Sequence, residues 1–183
     1  MVRASLAIVL LVGLVLAGCA APISGRTLAA DEGRFRVVLP GGWQGVATDR
    51  AEWADHATVA LLATQPLDPQ CPGAEGAEGD TGCTAPVAGL RDGAMLLWWR
   101  SVNCAGAACE LPDGERLLIG GRPAVRTDGT HLCDALGATH EAAYFVTVSP
   151  QRVDAIVACE RNATDAVRQQ LSAMLEGVQW RTP

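Results

Sequence analysis

The sequence predicts an α+β fold, an antiparallel β-sheet flanked by helices and stapled by disulfides. Several short segments alternate apolar and polar residues or run apolar throughout, bounded by Gly, Pro and Asn, which is the pattern of strands. One segment near the C-terminus instead spaces its apolar residues at three and four, the stripe of an amphipathic helix. The chain also carries 7 cysteines, one close to the N-terminus and the rest spread over the body of the domain.

Arg3 is the one charge before a run from Ala4 to Leu16 in which Ser5 is the one polar residue. Such a run suits the core of a secretory signal and falls short of the roughly 20 apolar residues of a spanning helix. Leu16-Ala17-Gly18-Cys19 follows it and resembles the lipobox of bacterial lipoproteins. Ala17 and Gly18 are small enough to enter a peptidase cleft, and Cys19 supplies the nucleophile for a thioether-linked diacylglycerol. Each buried CH₂ contributes about 0.8 kcal/mol, so two or three acyl chains, palmitate among them, anchor a protein where one would not. An ordinary signal peptide or an uncleaved anchor is the alternative. The expected organisation is a signal peptide over 1–18, a lipidated Cys19 with a flexible tether over 19–33, and one extracytoplasmic α+β domain over 34–183. The expected location is the cell membrane, lipid-anchored on its extracytoplasmic face.

Along the domain, Phe35, Val37 and Leu39 alternate with Arg36 and Val38 as a strand that Pro40-Gly41-Gly42 ends. Asp49 is a candidate cap for a short helical turn through Ala51, Trp53 and Ala54. Thr58 to Thr64 reads as a buried strand. Residues 66–93, rich in Pro and Gly, read as an excursion loop. Ala94 to Arg100 is a strong strand, with Met95, Leu97 and Trp99 on one face and Leu96 and Trp98 on the other. Cys104 to Asp113 is a second irregular loop, and strands over 116–119 and 122–127 flank Gly120-Gly121. Glu141 to Val148 and Arg152 to Glu160 form a hairpin about Ser149-Pro150-Gln151. A helix from about Thr164 to Glu176 presents Val167, Leu171, Met174 and Leu175 on one face. Asn162 or Thr164 caps it, Asp165 suits its positive end, and Gly177 stops it. A short strand over 178–181 closes the chain.

The net charge is −6, and removal of Arg3 with the signal makes the mature chain more acidic still. That balance argues against nucleic acid, which requires a basic footprint, and against a polybasic dock on anionic lipid. All 14 basic residues are Arg, a bias that resembles a high-GC genome of the actinobacterial type. Without Lys there is no Schiff-base lysine, P-loop lysine or Ser-Lys dyad. Setting Cys19 aside, the remaining cysteines of an exported domain read as three disulfides. The expected pairs are Cys71–Cys83, Cys104–Cys109 and Cys133–Cys159, the first two closing short loops that cannot build a core. A metal site of Cys104, Cys109, His131 and Cys133 is the competing reading. It lacks a CxxC pair, and oxidation competes with thiolate ligation outside the cell.

The run Phe35-Arg-Val-Val-Leu-Pro40-Gly-Gly-Trp43 resembles the "F-x-V-x-L-P-x-x-W" opening of PsbP/Mog1-like domains. Ile119-Gly-Gly-Arg-Pro-Ala-Val-Arg126 is similar to the "G-x-P-A" strand start of that family, and the closing hairpin, helix and short strand fit its order. The resemblance spans about 34–181 and is interrupted by the two cysteine loops, which depart from the family pattern. It implies a sandwich scaffold that serves as an accessory or binding subunit, with no shared catalytic motif.

No G-x-S-x-G elbow, H-E-x-x-H helix, P-loop or G-x-G-x-x-G after a strand is present, and nothing implies a cofactor. His56, His131 and His140 read as solvated histidines. An oxidised Cys133 leaves no thiolate to pair with His131. Trp98 and Trp99 cannot both face one core. A sheet with helices on both sides would cover both, and an exposed one would be a contact for a glycan, lipid or protein. The expected function is therefore a non-catalytic accessory or protein-binding domain with an envelope protein as partner. The alternative is a carrier of an apolar small molecule or lipid, in a pocket between sheet and helix lined by Trp98 or Trp99. A cell-envelope enzyme is the third reading.

Overall fold

The computed structural model describes residues 25–31, 33–53, 56–67, 87–104 and 108–181, with side chains described outside 48–57. Cys19, the signal segment, Cys71 and Cys83 lie outside the described residues. Among the described residues, ten strands and one α-helix follow in the order β1 (Thr27–Ala30), β2 (Phe35–Val38), β3 (Gln44–Trp53), β4 (His56–Ala63), β5 (Met95–Asn103), β6 (Glu115–Ile119), β7 (Arg122–Asp128), β8 (His140–Ser149), β9 (Arg152–Glu160), α1 (Asp165–Glu176) and β10 (Gln179–Trp180). A single 3₁₀ turn, Asp134–Leu136, stands between β7 and β8.

Two antiparallel sheets result: a seven-stranded sheet ordered β3-β4-β5-β9-β8-β7-β6 and a three-stranded sheet ordered β1-β2-β10. The expected α+β sheet with flanking helices is thus corrected to a mostly β molecule with one α-helix among the described residues. Alternation fixes which side of each strand is buried. Met95, Leu97 and Trp99 of β5 join Ile156 and Ala158 of β9 and Ala142, Tyr144 and Val146 of β8 on one face of the large sheet. The small sheet and α1 close over that face, contributing Phe35, Val37, Trp180, Leu171, Met174 and Leu175. On the opposite face Leu96, Val157 and Cys159 are covered by Val87, Leu90, Cys133 and Leu136. That cover is irregular chain and the 3₁₀ turn, where a second helix layer was expected.

Two other expectations change. Thr27–Ala30, assigned in sequence to the tether, pairs with β2 from Thr27↔Val38 to Ala30↔Phe35. The helical turn expected after Asp49 is part of β3, whose pairing with β4 shifts register between Ala47 and Ala51. A bulge needs an extra residue and polar backbone rather than an apolar period, which is why that stretch reads ambiguously. Gly177 ends α1 as expected, with φ −82° and its N–H bonding the carbonyl of Ala173. The helix start is as expected: Thr164 precedes it in extended conformation and its hydroxyl accepts from Val167 N.

Candidate functional site

Trp99 belongs to the core and not to a site. It is 1% exposed, stacks on Phe35 with ring centroids 4.0 Å apart, and meets the Trp180 edge at 5.8 Å. Its indole N–H donates to Asp154 Oδ2 at 3.0 Å. This corrects its candidacy as a binding residue. Trp98, on the other face, is half-buried against the second core cluster. Its N–H donates to Thr58 Oγ1 at 2.8 Å, and the Arg100 guanidinium lies 5.2 Å from its ring centroid.

Asp154 is fully buried and would be costly there unpaired. Arg152 answers it, donating from Nε to Asp154 Oδ1 at 3.3 Å, and bonds Asp31 of the β1–β2 turn through Nη2. Burial pushes the Asp154 carboxyl above its ordinary range, against the pull of Arg152 and the Trp99 hydrogen bond. Burial opposes the Arg152 charge, but the Asp31 bond and the two carboxylates outweigh it and raise its pKa. The network ties the small sheet to β9 and is structural.

A cleft of about 340 Å³ opens between α1 and β6–β9. Its floor includes Met95, Ala142 and Leu171, while Arg126, Glu160 and Arg168 stand on its walls. Those charges answer one another. Arg168 grips both oxygens of the buried Glu160, from Nε at 3.0 Å and Nη2 at 2.8 Å. Arg126 donates to Glu115 at 3.1 Å and to Asp128 at 2.7 Å. Tyr144 borders the same cleft, its phenol raised by burial and partly drawn back by Arg126. The sequence reading placed Trp98 or Trp99 in a pocket between sheet and helix. The cleft occupies that place, but charged pairs and neither tryptophan line it.

A second opening, about 540 Å³, runs along β6 at the free edge of the large sheet. Leu111, Pro112, Leu117, Leu118, Pro123 and Val125 give it a mostly apolar lining, with Asp113 and Arg116 at the same groove. Leu118, on the outermost strand of this sheet edge, is 61% exposed. Gly114 lets the chain before β6 lie against β7, since a Cβ there would come within 2.8 Å of Val125 Cγ1. No sequence motif marked this groove. Its signal was a run of Leu117, Leu118 and Ile119 too apolar for a one-sided edge strand.

His131 and His140 are exposed, His131 beside Asp134 at 3.3 Å and His140 3.6 Å from Asp128. The side chain of His56 lies outside those described. Cys104–Cys109 and Cys133–Cys159 stand at disulfide distance, with Cα atoms 5.4 Å and 5.6 Å apart. Among the described residues no cluster of three or more His, Cys, Asp or Glu could hold a metal ion, and no helix is long and apolar enough to cross a membrane.

No family model and no curated protein matches the chain. Among solved structures it is similar to a protein from Bacteroides thetaiotaomicron, with 9% identity and a TM-score of 0.42, over 86% of this chain and 49% of that one. The chain therefore spans about half the length of that structure. It is also similar to the cyanobacterial PsbP, CyanoP, of Synechocystis sp. PCC 6803, with 11% identity and a TM-score of 0.44, over 92% of this chain and 99% of that one.

Proposed function

We propose that the chain is an exported lipoprotein held at the extracytoplasmic face of the membrane through Cys19, and that its domain is a non-catalytic, PsbP/Mog1-like module that binds an envelope protein. The anchor rests on Leu16-Ala17-Gly18-Cys19 after the apolar signal run. The family assignment rests on the Phe35 to Trp43 run, which forms β2, a Pro40-Gly41-Gly42 turn and a buried Trp43.

The observation that carries the binding role is the β6 edge. Edge strands are ordinarily blunted by bulges, charges or cover. The other edge of the large sheet, β3, has its ladder broken between Ala47 and Ala51. β6 pairs with β7 without interruption from Glu115↔Arg126 to Ile119↔Arg122 and leaves its outer side unpaired. An unpaired row of backbone donors and acceptors beside an apolar groove suits an extended protein segment, which adds as a further strand and seats alternate side chains. The apolar-carrier reading has less support: the core around Trp99 and Phe35 is filled, and the cleft beneath α1 is walled by ion pairs. The charged side chains of that cleft engage one another.

Photo-crosslinking tests this reading. A photoreactive amino acid at Leu118 in the full chain, expressed in its own envelope, should capture one discrete protein. The same group at Leu132, exposed in the chain between β7 and β8, should not. Equal capture at both positions, or none at Leu118, overturns the β6 assignment.

A further inference from the structure

The backbone of β6 decides which residues its free edge offers. Glu115↔Arg126, Leu117↔Ala124 and Ile119↔Arg122 alternate with Arg116↔Val125 and Leu118↔Pro123. Along an antiparallel ladder, hydrogen-bonded pairs alternate with pairs that exchange no bonds. Pro123 has no N–H, so Leu118↔Pro123 is a pair of the second kind, and so is Arg116↔Val125. The N–H and C=O groups of Arg116 and Leu118 therefore point outward, toward the free side of the sheet. Their side chains share one face with Pro123 and Val125, beside the groove that Leu111 and Pro112 also line. Glu115, Leu117 and Ile119 share the other face.

These positions complement a second copy of themselves. An added antiparallel strand must engage the outward groups of Arg116 and Leu118, and residues directly opposite one another share a face. A two-fold axis at Leu117 meets both conditions. Arg116 then lies opposite Leu118 of the second copy, Leu118 opposite its Arg116, and Leu117 opposite its Leu117. Glu115 faces Ile119, so no like charges stand opposed, and each Leu118 lies along the apolar stem of an arginine. Moving the axis one residue toward Glu115 would set the two Arg116 side chains against each other. Moving it one residue toward Ile119 would set Arg116 against Gly120, whose N–H already bonds the Leu175 carbonyl.

We propose that the partner at β6 is a second copy of this chain, joined through an isologous β6–β6 pair centred on Leu117. The proposal rests on the β6 reading above and names its partner. A strand of 5 residues makes a short ladder, so the pair is weak in dilute solution. Anchoring both copies to one membrane raises their effective concentration and favours the pair.

The test places two differently tagged copies of the full chain in one native envelope. The first carries a photoreactive amino acid at Leu118, and illumination should yield a product bearing both tags. Leu118→Glu in the second copy should preserve that product, because the new carboxylate faces Arg116 of the first. Leu118→Arg in the second copy should reduce it about fivefold, since like charges then stand directly opposite. Adding Arg116→Glu to the first copy should restore it. Capture of some other protein without the doubly tagged product would overturn the second-copy proposal and leave the β6 reading standing. Absence of any capture would overturn both. Equal yields from the Leu118→Glu and Leu118→Arg copies would overturn the register, and the proposal with it.

Discussion

At Arg152 the chain places one guanidinium between the carboxylates of Asp31 and Asp154, with Trp99 donating to the second. Removing the cation would leave two buried carboxylates facing one another, so Arg152→Met should cost about 3–5 kcal/mol of unfolding free energy in urea. Asp154 also predicts a pH dependence. Its folded pKa lies above the ordinary carboxylate value because of burial, so the folded state binds that proton more tightly than the unfolded chain. The stability contributed by this group is therefore full below the ordinary value and falls as pH rises toward the raised one. Asp154→Asn removes the titration. Its stability relative to the native protein should improve as pH rises from about 4 through the mildly acidic range. A pH-independent gap, or one moving the other way, contradicts this. None of this was legible in the sequence, because Asp31 and Arg152 are 121 positions apart and each alone resembles a turn or hairpin residue.

At the scale of elements, periodicity identified the central strands and α1, since Met95-Leu96-Leu97-Trp98-Trp99 and the Val167 to Leu175 stripe have no comparable alternative. It failed where backbone chemistry decides. β1 has four residues of modest apolarity, and its strand state comes from pairing with β2. The Gly120-Gly121 turn was visible as punctuation, but its packing was not. Gly120 has φ 54°, its N–H bonds the Leu175 carbonyl at 3.0 Å, and a Cβ there would come within 2.6 Å of Trp180 Nε1. Gly120→Ala should therefore lower stability by about 1–3 kcal/mol, whereas Gly121→Ala, with nothing near its Cβ position, should show backbone strain alone. The disulfides separate by loop length, 26 positions for Cys133–Cys159 and 5 for Cys104–Cys109. The chain-entropy relation gives about 3.5 kcal/mol for the longer loop and about 2 kcal/mol for the shorter. Denaturation of the two double-alanine variants should rank them in that order.

The whole molecule is a large sheet with two differently covered faces. The small sheet and α1 close one face, and irregular chain held by Cys133–Cys159 covers the other. The sequence showed that Trp98 and Trp99 point opposite ways, but not which one enters the filled core. That choice depends on the Phe35 ring and on Asp154, far away in the chain. The same arrangement leaves β6 as the regular free edge of the large sheet, and the proposed function rests on that edge. Amide hydrogen exchange over residues 115–119 tests it most directly, comparing the lipidated protein purified in detergent with the same protein held in its native envelope. If a partner segment adds to β6, these amides should exchange substantially more slowly in the envelope, and Leu118→Lys should abolish the difference. Equal exchange rates in the two states would contradict strand addition at β6.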